Sequence, residues 1–183
     1  MPKVLVPLAQ GCEELEAVTI IDLLRRAKID VVTAGLDTQP VTASRGVQLI
    51  PDMDLDSALK NEYDMVVLPG GMPGADHLDN DPRIQALLKK MANDEKYTAA
   101  ICAAPKALAN AGVLEGKTAT SYPGFLDYMD LPDTTISNEP VVVDGNVITS
   151  RGPGTAMDFA LTLIEALLGK DKRIEVETAL VRS

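Results

Sequence analysis

The 183-residue sequence contains one histidine, two cysteines, no tryptophan and only 3% aromatic residues. Each scarcity closes off some chemistry. A lone histidine, His77, cannot build a multi-histidine metal centre. His77, Cys12 and Cys102 do not stand at metal-ligand spacing, so no metal is expected. Any Cys–His or Ser–His dyad has to use His77. Two cysteines make no disulfide framework and point to a reducing compartment. No apolar run approaches the roughly 18 residues of a membrane span. The opening Met1-Pro2-Lys3-Val4-Leu5-Val6-Pro7 lacks the charged and long apolar regions of a secretory leader, which leaves the cytoplasm as the expected location. Positive charge is also scarce: 17 Lys and Arg against 27 Asp and Glu give −10. That balance disfavours nucleic acid and anionic membranes as partners.

What is present suits an ordinary globular chain, with 46% hydrophobic and 24% charged residues. One domain over residues 1–183 is expected, long enough to bury roughly 70% of its unfolded surface. Strands are expected at 3–8, 30–35, 63–68 and 97–101, with two short ones in 41–50 and a hairpin in 141–150. Helices are expected at 13–28, 55–59, 82–94, 104–111, 155–168 and 171–177. The stretch 121–140 reads as irregular surface chain. Strands alternating with helices imply an α/β fold with a mostly parallel sheet covered on both faces. Ligands of such sheets sit beyond the carboxyl ends of the strands, here the loops 9–16, 69–75 and 101–105.

In Ala99-Ala100-Ile101-Cys102-Ala103-Ala104-Pro105 a buried strand runs straight into a helix, with a cysteine at the bend and small residues around it. This is the pattern of a nucleophile elbow. The helix N-terminus is expected to favour thiolate and pull the Cys102 pKa below about 8.5. A buried structural cysteine is the competing reading. In Gly11-Cys12-Glu13-Glu14-Leu15-Glu16, helical spacing puts Glu16 on the stripe 13, 16, 17, 20, 21, 24 that faces the sheet. Burial raises a carboxyl pKa and the helix dipole lowers it. Glu16 is thus either a protonated acid beside the thiol or an ordinary first-turn glutamate. Val18 and Leu23 lie outside that stripe and suit a partner surface, with packing under a neighbouring loop as the alternative. In Pro69-Gly70-Gly71-Met72-Pro73-Gly74 paired glycines permit close backbone approach, and the Gly71 and Ala103 N–H groups are candidate oxyanion donors. The loop is neither a Walker loop nor a dinucleotide fingerprint.

Five blocks together resemble the DJ-1/PfpI (ThiJ) family, in its deglycase branch. They are residues 11–18 (Gly-Cys-Glu-Glu-Leu-Glu-Ala-Val), 43–47 (Ala-Ser-Arg-Gly-Val) and 66–71 (Val-Val-Leu-Pro-Gly-Gly), then 99–105 and 149–155 (Thr-Ser-Arg-Gly-Pro-Gly-Thr). The resemblance implies a flavodoxin-like three-layer sandwich and a homodimer. It implies Cys102 as the reactive, oxidisable cysteine, Glu16 as its partner, Gly71 and Ala103 as backbone donors, and no cofactor. It places Arg45 and Arg26 near the site across the dimer interface, as candidate contacts, with Tyr122, for a substrate or an anionic group. The branch is described as glyoxalases and deglycases acting on methylglyoxal and glycated adducts. It is also described as redox sensors or holdase chaperones whose cysteine is oxidised to sulfinate. Tyr122 stands where the family often has histidine. Ala103 follows the nucleophile where the protease branch has histidine, which weakens a peptidase or amidase reading. No phosphate loop supports a role in thiazole-phosphate synthesis. Cys12, one turn before Glu16, is the candidate resolving thiol, and a loop-corner residue is its alternative. His77 is expected to be a surface or capping residue.

Overall fold

The computed structural model describes residues 1–183. In chain order the elements are β1 (Lys3–Leu8), α1 (Glu14–Arg26), β2 (Asp30–Gly35), β3 (Val41–Thr42), β4 (Gln48–Leu49), β5 (Met53–Asp54), α2 (Leu55–Ala58), β6 (Met65–Leu68), α3 (Gly74–Asn80) and α4 (Pro82–Asn93). There follow β7 (Tyr97–Ile101), α5 (Pro105–Asn110), β8 (Thr118–Ala119), β9 (Thr135–Ile136), β10 (Val141–Asp144), β11 (Val147–Ser150), α6 (Ala156–Leu168) and α7 (Lys170–Ala179). A seven-stranded sheet runs in the order β10-β11-β7-β6-β1-β2-β5, parallel except for the β10–β11 hairpin at one edge.

The strands read as unbroken apolar runs because both faces of the sheet are covered. Their two-residue period sorts side chains into two cores. Val4, Val6, Leu8, Met65, Val67, Ala99 and Ile101 point to the side of α1 and α6. Leu5, Val66, Leu68 and Ala100 point to the side of α2 to α5. The result is the expected three-layer α/β sandwich. From β1 the chain winds outward to β2 and later returns to place β6 on the other side of β1. The crevice at that reversal, above the carboxyl ends of β1, β6 and β7, is where such folds hold ligands.

Helix α1 is capped by the Glu13 carboxylate, which accepts from the Leu15 N–H at 3.3 Å. Glu14 and Glu16 in its first turn and Arg25 and Arg26 in its last complement the helix dipole. Two expectations need correction. Leu23 is 3% exposed and belongs to the core on the α1 side, because the buried arc of α1 is wider than the six-residue stripe. Val18 stays 45% exposed. The stretch 121–140 is not featureless: Leu126–Tyr128 forms a 3-10 turn that buries Leu126, and β9 pairs in parallel with β8. Strands of two residues, including β5, are too short to leave a periodic signal.

Candidate active site

Cys102 closes β7 in the left-handed region, with φ +66°. A residue with a Cβ adopts that conformation only at a cost, on the order of 1–3 kcal/mol, unless its surroundings fix it. Here they do. The Cys102 N–H donates to the Ser150 carbonyl at 3.0 Å, and its own carbonyl accepts from the Tyr122 N–H at 2.8 Å. Ala103 and Ala104 fit the crowded turn without side chains that would clash, and both are buried. The bend turns the sulfur out of the strand and under the backbone N–H groups of Gly71 and Ala103, which both favour its anionic form.

Glu16 projects from the first turn of α1 into the same space and is fully buried. Its Oε1 accepts from the Gly70 N–H at 2.9 Å, its carboxyl faces the Cys102 thiol, and its Oε2 is buried without a hydrogen-bond partner of normal geometry. Gly70 separates the two groups so closely that a Cβ there would lie 2.6 Å from Cys102 Cβ and 2.8 Å from Glu16 Oε1. The Gly-Gly pair marks close backbone approach in the sequence, and the structure makes Gly70 the member that stands between the two groups. At Gly71, φ is +91° and a Cβ would meet the Glu13 nitrogen at 2.3 Å.

The electrostatics correct one expectation. Burial pushes Glu16 up to about 7. Cys102 does not fall below the usual thiol range. Burial first, and then the negative charge of Glu16, push it up to about 12 against the pull of the Gly71 and Ala103 N–H groups. Helix α5 has only six residues, too few to outweigh the exclusion of water. The repulsion exists only while Glu16 is ionised. The two groups therefore behave as a pair that holds one proton, and moving it onto the carboxyl removes the charge that opposes thiolate.

The remaining predicted residues are placed unevenly. Cys12 is buried at the head of α1, hydrogen-bonded through its carbonyl to the Ser44 N–H at 2.8 Å. Burial, then Glu14, pushes its thiol up to about 12, and neither cysteine is in a disulfide. Tyr122 is half-exposed beside the elbow, its ring against Gly152 and edge-on to Phe125 at 6.4 Å. Arg45 lies on the exposed turn between β3 and β4, next to Ser44, whose hydroxyl reaches Glu13 Oε2 at 3.1 Å. Arg26 is not brought to Cys102 within one chain. It sits in the last turn of α1, about 15 Å along the helix from Glu16, paired with Asp22. His77 is exposed on α3.

A model of the DJ-1/PfpI family matches residues 2–166. The chain belongs to this family. Among curated members it is 44% identical to the Parkinson disease protein 7 homolog of Danio rerio, over 98% of this chain and 96% of that one. It is 46% identical to Protein DJ-1 homolog B of Arabidopsis thaliana over 97% of this chain, but spans only 41% of that longer relative. It covers 46% of the related homolog A. A Caenorhabditis elegans relative, 34% identical over 89% of this chain and 87% of its own length, is named a glutathione-independent glyoxalase. Among solved structures, Drosophila melanogaster DJ-1beta superposes with a TM-score of 0.95 at 42% identity, covering 100% of this chain and 98% of that one. Oxidised Toxoplasma gondii DJ-1 gives 0.94 at 39%, with full coverage of both chains.

Proposed function

We propose that this chain is a glutathione-independent glyoxalase or deglycase that handles methylglyoxal and related glycation adducts through Cys102 and Glu16. The observation that carries the reading is the buried, unpartnered Glu16 Oε2 facing a cysteine on a left-handed turn beneath two backbone N–H groups. The glyoxalase name of the Caenorhabditis elegans relative supports it.

As the Cys102 sulfur bonds to the aldehyde carbon of methylglyoxal, its proton moves to Glu16. The carbonyl electron pair shifts to oxygen, where the Gly71 and Ala103 N–H groups stabilise it. Glu16 returns the proton to that oxygen and completes a hemithioacetal. The carboxylate then takes the hydrogen on C1 as a proton, giving an enediolate, and delivers it to C2 while the hydroxyl proton on the C1 oxygen passes to the C2 oxygen. C1 becomes a thioester as C2 becomes an alcohol, so the redox change is internal. Water cleaves the C–S bond and releases lactate and the free thiol. A carboxyl with a pKa of about 7 suits both directions of transfer near neutral pH. A hemiaminal of a glycated amine, or a hemithioacetal of a glycated thiol, enters the same sequence once Cys102 forms its C–S bond to C1 and the amine or thiol leaves with the proton that Glu16 took from Cys102.

Cys102→Ser and Glu16→Gln are expected to lower methylglyoxal consumption by about 100-fold or more, with unchanged circular dichroism. Retained turnover in either variant rejects the mechanism. The same acid facing the sulfur also favours a second reading, a redox sensor or holdase in which protonated Glu16 donates to an oxidised Cys102. Wild-type protein that fails to consume methylglyoxal, yet forms Cys102 sulfinate in mild peroxide, supports that reading instead. An internal disulfide after peroxide supports Cys12 as resolving thiol, and sulfinate alone rejects that role.

A further inference from the structure

The two N–H groups aimed at the Cys102 sulfur belong to different loops. Gly71 precedes α3 and Ala103 precedes α5, so their spacing depends on how these two helices are held together. A polar seam joins them. Lys106 in the first turn of α5 forms an ion pair with Asp76 in the first turn of α3. One turn further on, Asn110 Nδ2 donates to both carboxylate oxygens of Asp79, at 2.8 and 3.0 Å. Gln85 of α4 donates to Asp79 at 3.1 Å and to the Ala107 carbonyl at 3.2 Å.

The rung nearest the site differs from the other ion pairs in its cation, although the Arg83–Asp81 pair buries its carboxylate more deeply. The Lys106 side chain is 17% exposed, the lowest among the paired lysines and arginines. Its ammonium lies 5.8 Å from the centre of the Phe125 ring, the ring that Tyr122 meets edge-on. The Lys106 ammonium is the shielded member, with Asp76 40% exposed, and screening by salt weakens as a cation is withdrawn from solvent. Neither the Gly71 nor the Ala103 N–H is drawn to another main-chain oxygen, so both stay free to face the sulfur.

We propose that Asp76 and Lys106 are a positioning pair: by locking the first turn of α3 to the first turn of α5, they hold the Gly71 and Ala103 N–H groups on the Cys102 sulfur. Neither side chain takes part in bond making. Their effect on turnover rests on the glyoxalase reading, but their effect on the sulfur does not.

The test is the pH dependence of Cys102 alkylation by iodoacetamide, followed at the Cys102 peptide by mass spectrometry in the full chain. Lys106→Met and Asp76→Asn are each expected to move the profile upward by about half to one pH unit, a loss of about 3- to 10-fold in rate at a pH below the midpoint. Lys106→Arg, which keeps the pair, is expected to follow wild type. So is Lys90→Met, which removes a cation paired elsewhere with Glu62 and Asp94. An unchanged profile in the two neutralising variants, even with a lowered melting temperature, overturns the proposal. So does an equal shift in Lys106→Arg. Because alkylation needs no turnover, failure of this proposal is distinguishable from failure of the glyoxalase reading.

Discussion

Glu16 is a glutamate in the first turn of a helix, a common place for an acid, yet it is fully buried. Its folded pKa of about 7 stands above the ordinary 4.5 because burial disfavours the charged form. Between those two values the folded chain holds a proton that the unfolded chain has released. Stability therefore falls as pH rises from 4.5 through 7, by a total on the order of 3 kcal/mol. Glu16→Gln keeps an acceptor for the Gly70 N–H and removes the charge. Its urea midpoint is expected to exceed that of wild type at pH 8 and to approach it at pH 4. A wild-type midpoint equal to or above that of the variant at pH 8 would show that the buried carboxylate carries no such penalty. Helical spacing made the inward aim of Glu16 legible in the sequence. Whether burial or the helix dipole set its proton affinity was not, because that depends on how completely the sheet and α1 exclude water.

At the level of elements, the site exists because the loop after β1 and the loop after β6 meet backbone to backbone. The Glu13 N–H donates to the Gly70 carbonyl at 2.8 Å, and Gly74 leaves no room between itself and the Cys12 main chain. Two glycines with nearly the same φ separate conformational cost from close approach. Gly46 has φ +89° with nothing near its absent Cβ, whereas Gly71 has φ +91° and the Glu13 nitrogen at 2.3 Å. Gly46→Ala is expected to cost about 1–2 kcal/mol from backbone strain alone. Gly71→Ala should cost about 3 kcal/mol or more, because fixed backbone blocks the added methyl group. Chemical denaturation of the two variants side by side checks this, and equal losses would refute it. The sequence showed two glycines at a strand end and said nothing of the main chain opposite.

For the whole molecule, the outer face of α1 borders an exposed apolar groove. Val18 and Ile50, 45% and 84% exposed, line one groove with Ile21 and Leu49, and Arg25 and Arg26 stand on its rim. We propose this face as the place where a second copy docks, the assembly the family resemblance implies. Arg26, distant from Cys102 along its own helix, would then approach the other copy. Sedimentation of wild type is expected to give a dimer, and Val18→Asp a species shifted toward monomer. A monomeric wild type at micromolar concentration would remove this assignment. Of the two apolar residues outside the predicted stripe, Leu23 turns inward and Val18 outward. A helical wheel gives direction around an axis, but the width of the arc covered by α6 is set by packing.

The sequence by itself determined the alternation of strands and helices, the burial of the sheet on both sides, and the identity of the cysteine at the strand-to-helix bend. Those follow from local periodicity, from the apolar length of each run and from small residues at a crowded turn. Only the tertiary structure decided that Gly70 stands between Cys102 and Glu16, and that the thiol is pushed upward rather than pulled down. It also decided that α3 and α5 are tied by Lys106 and Asp76. Each of these depends on segments far apart in the chain meeting at a few ångströms, where exclusion of water sets the energies and spacing along the sequence carries no record of it.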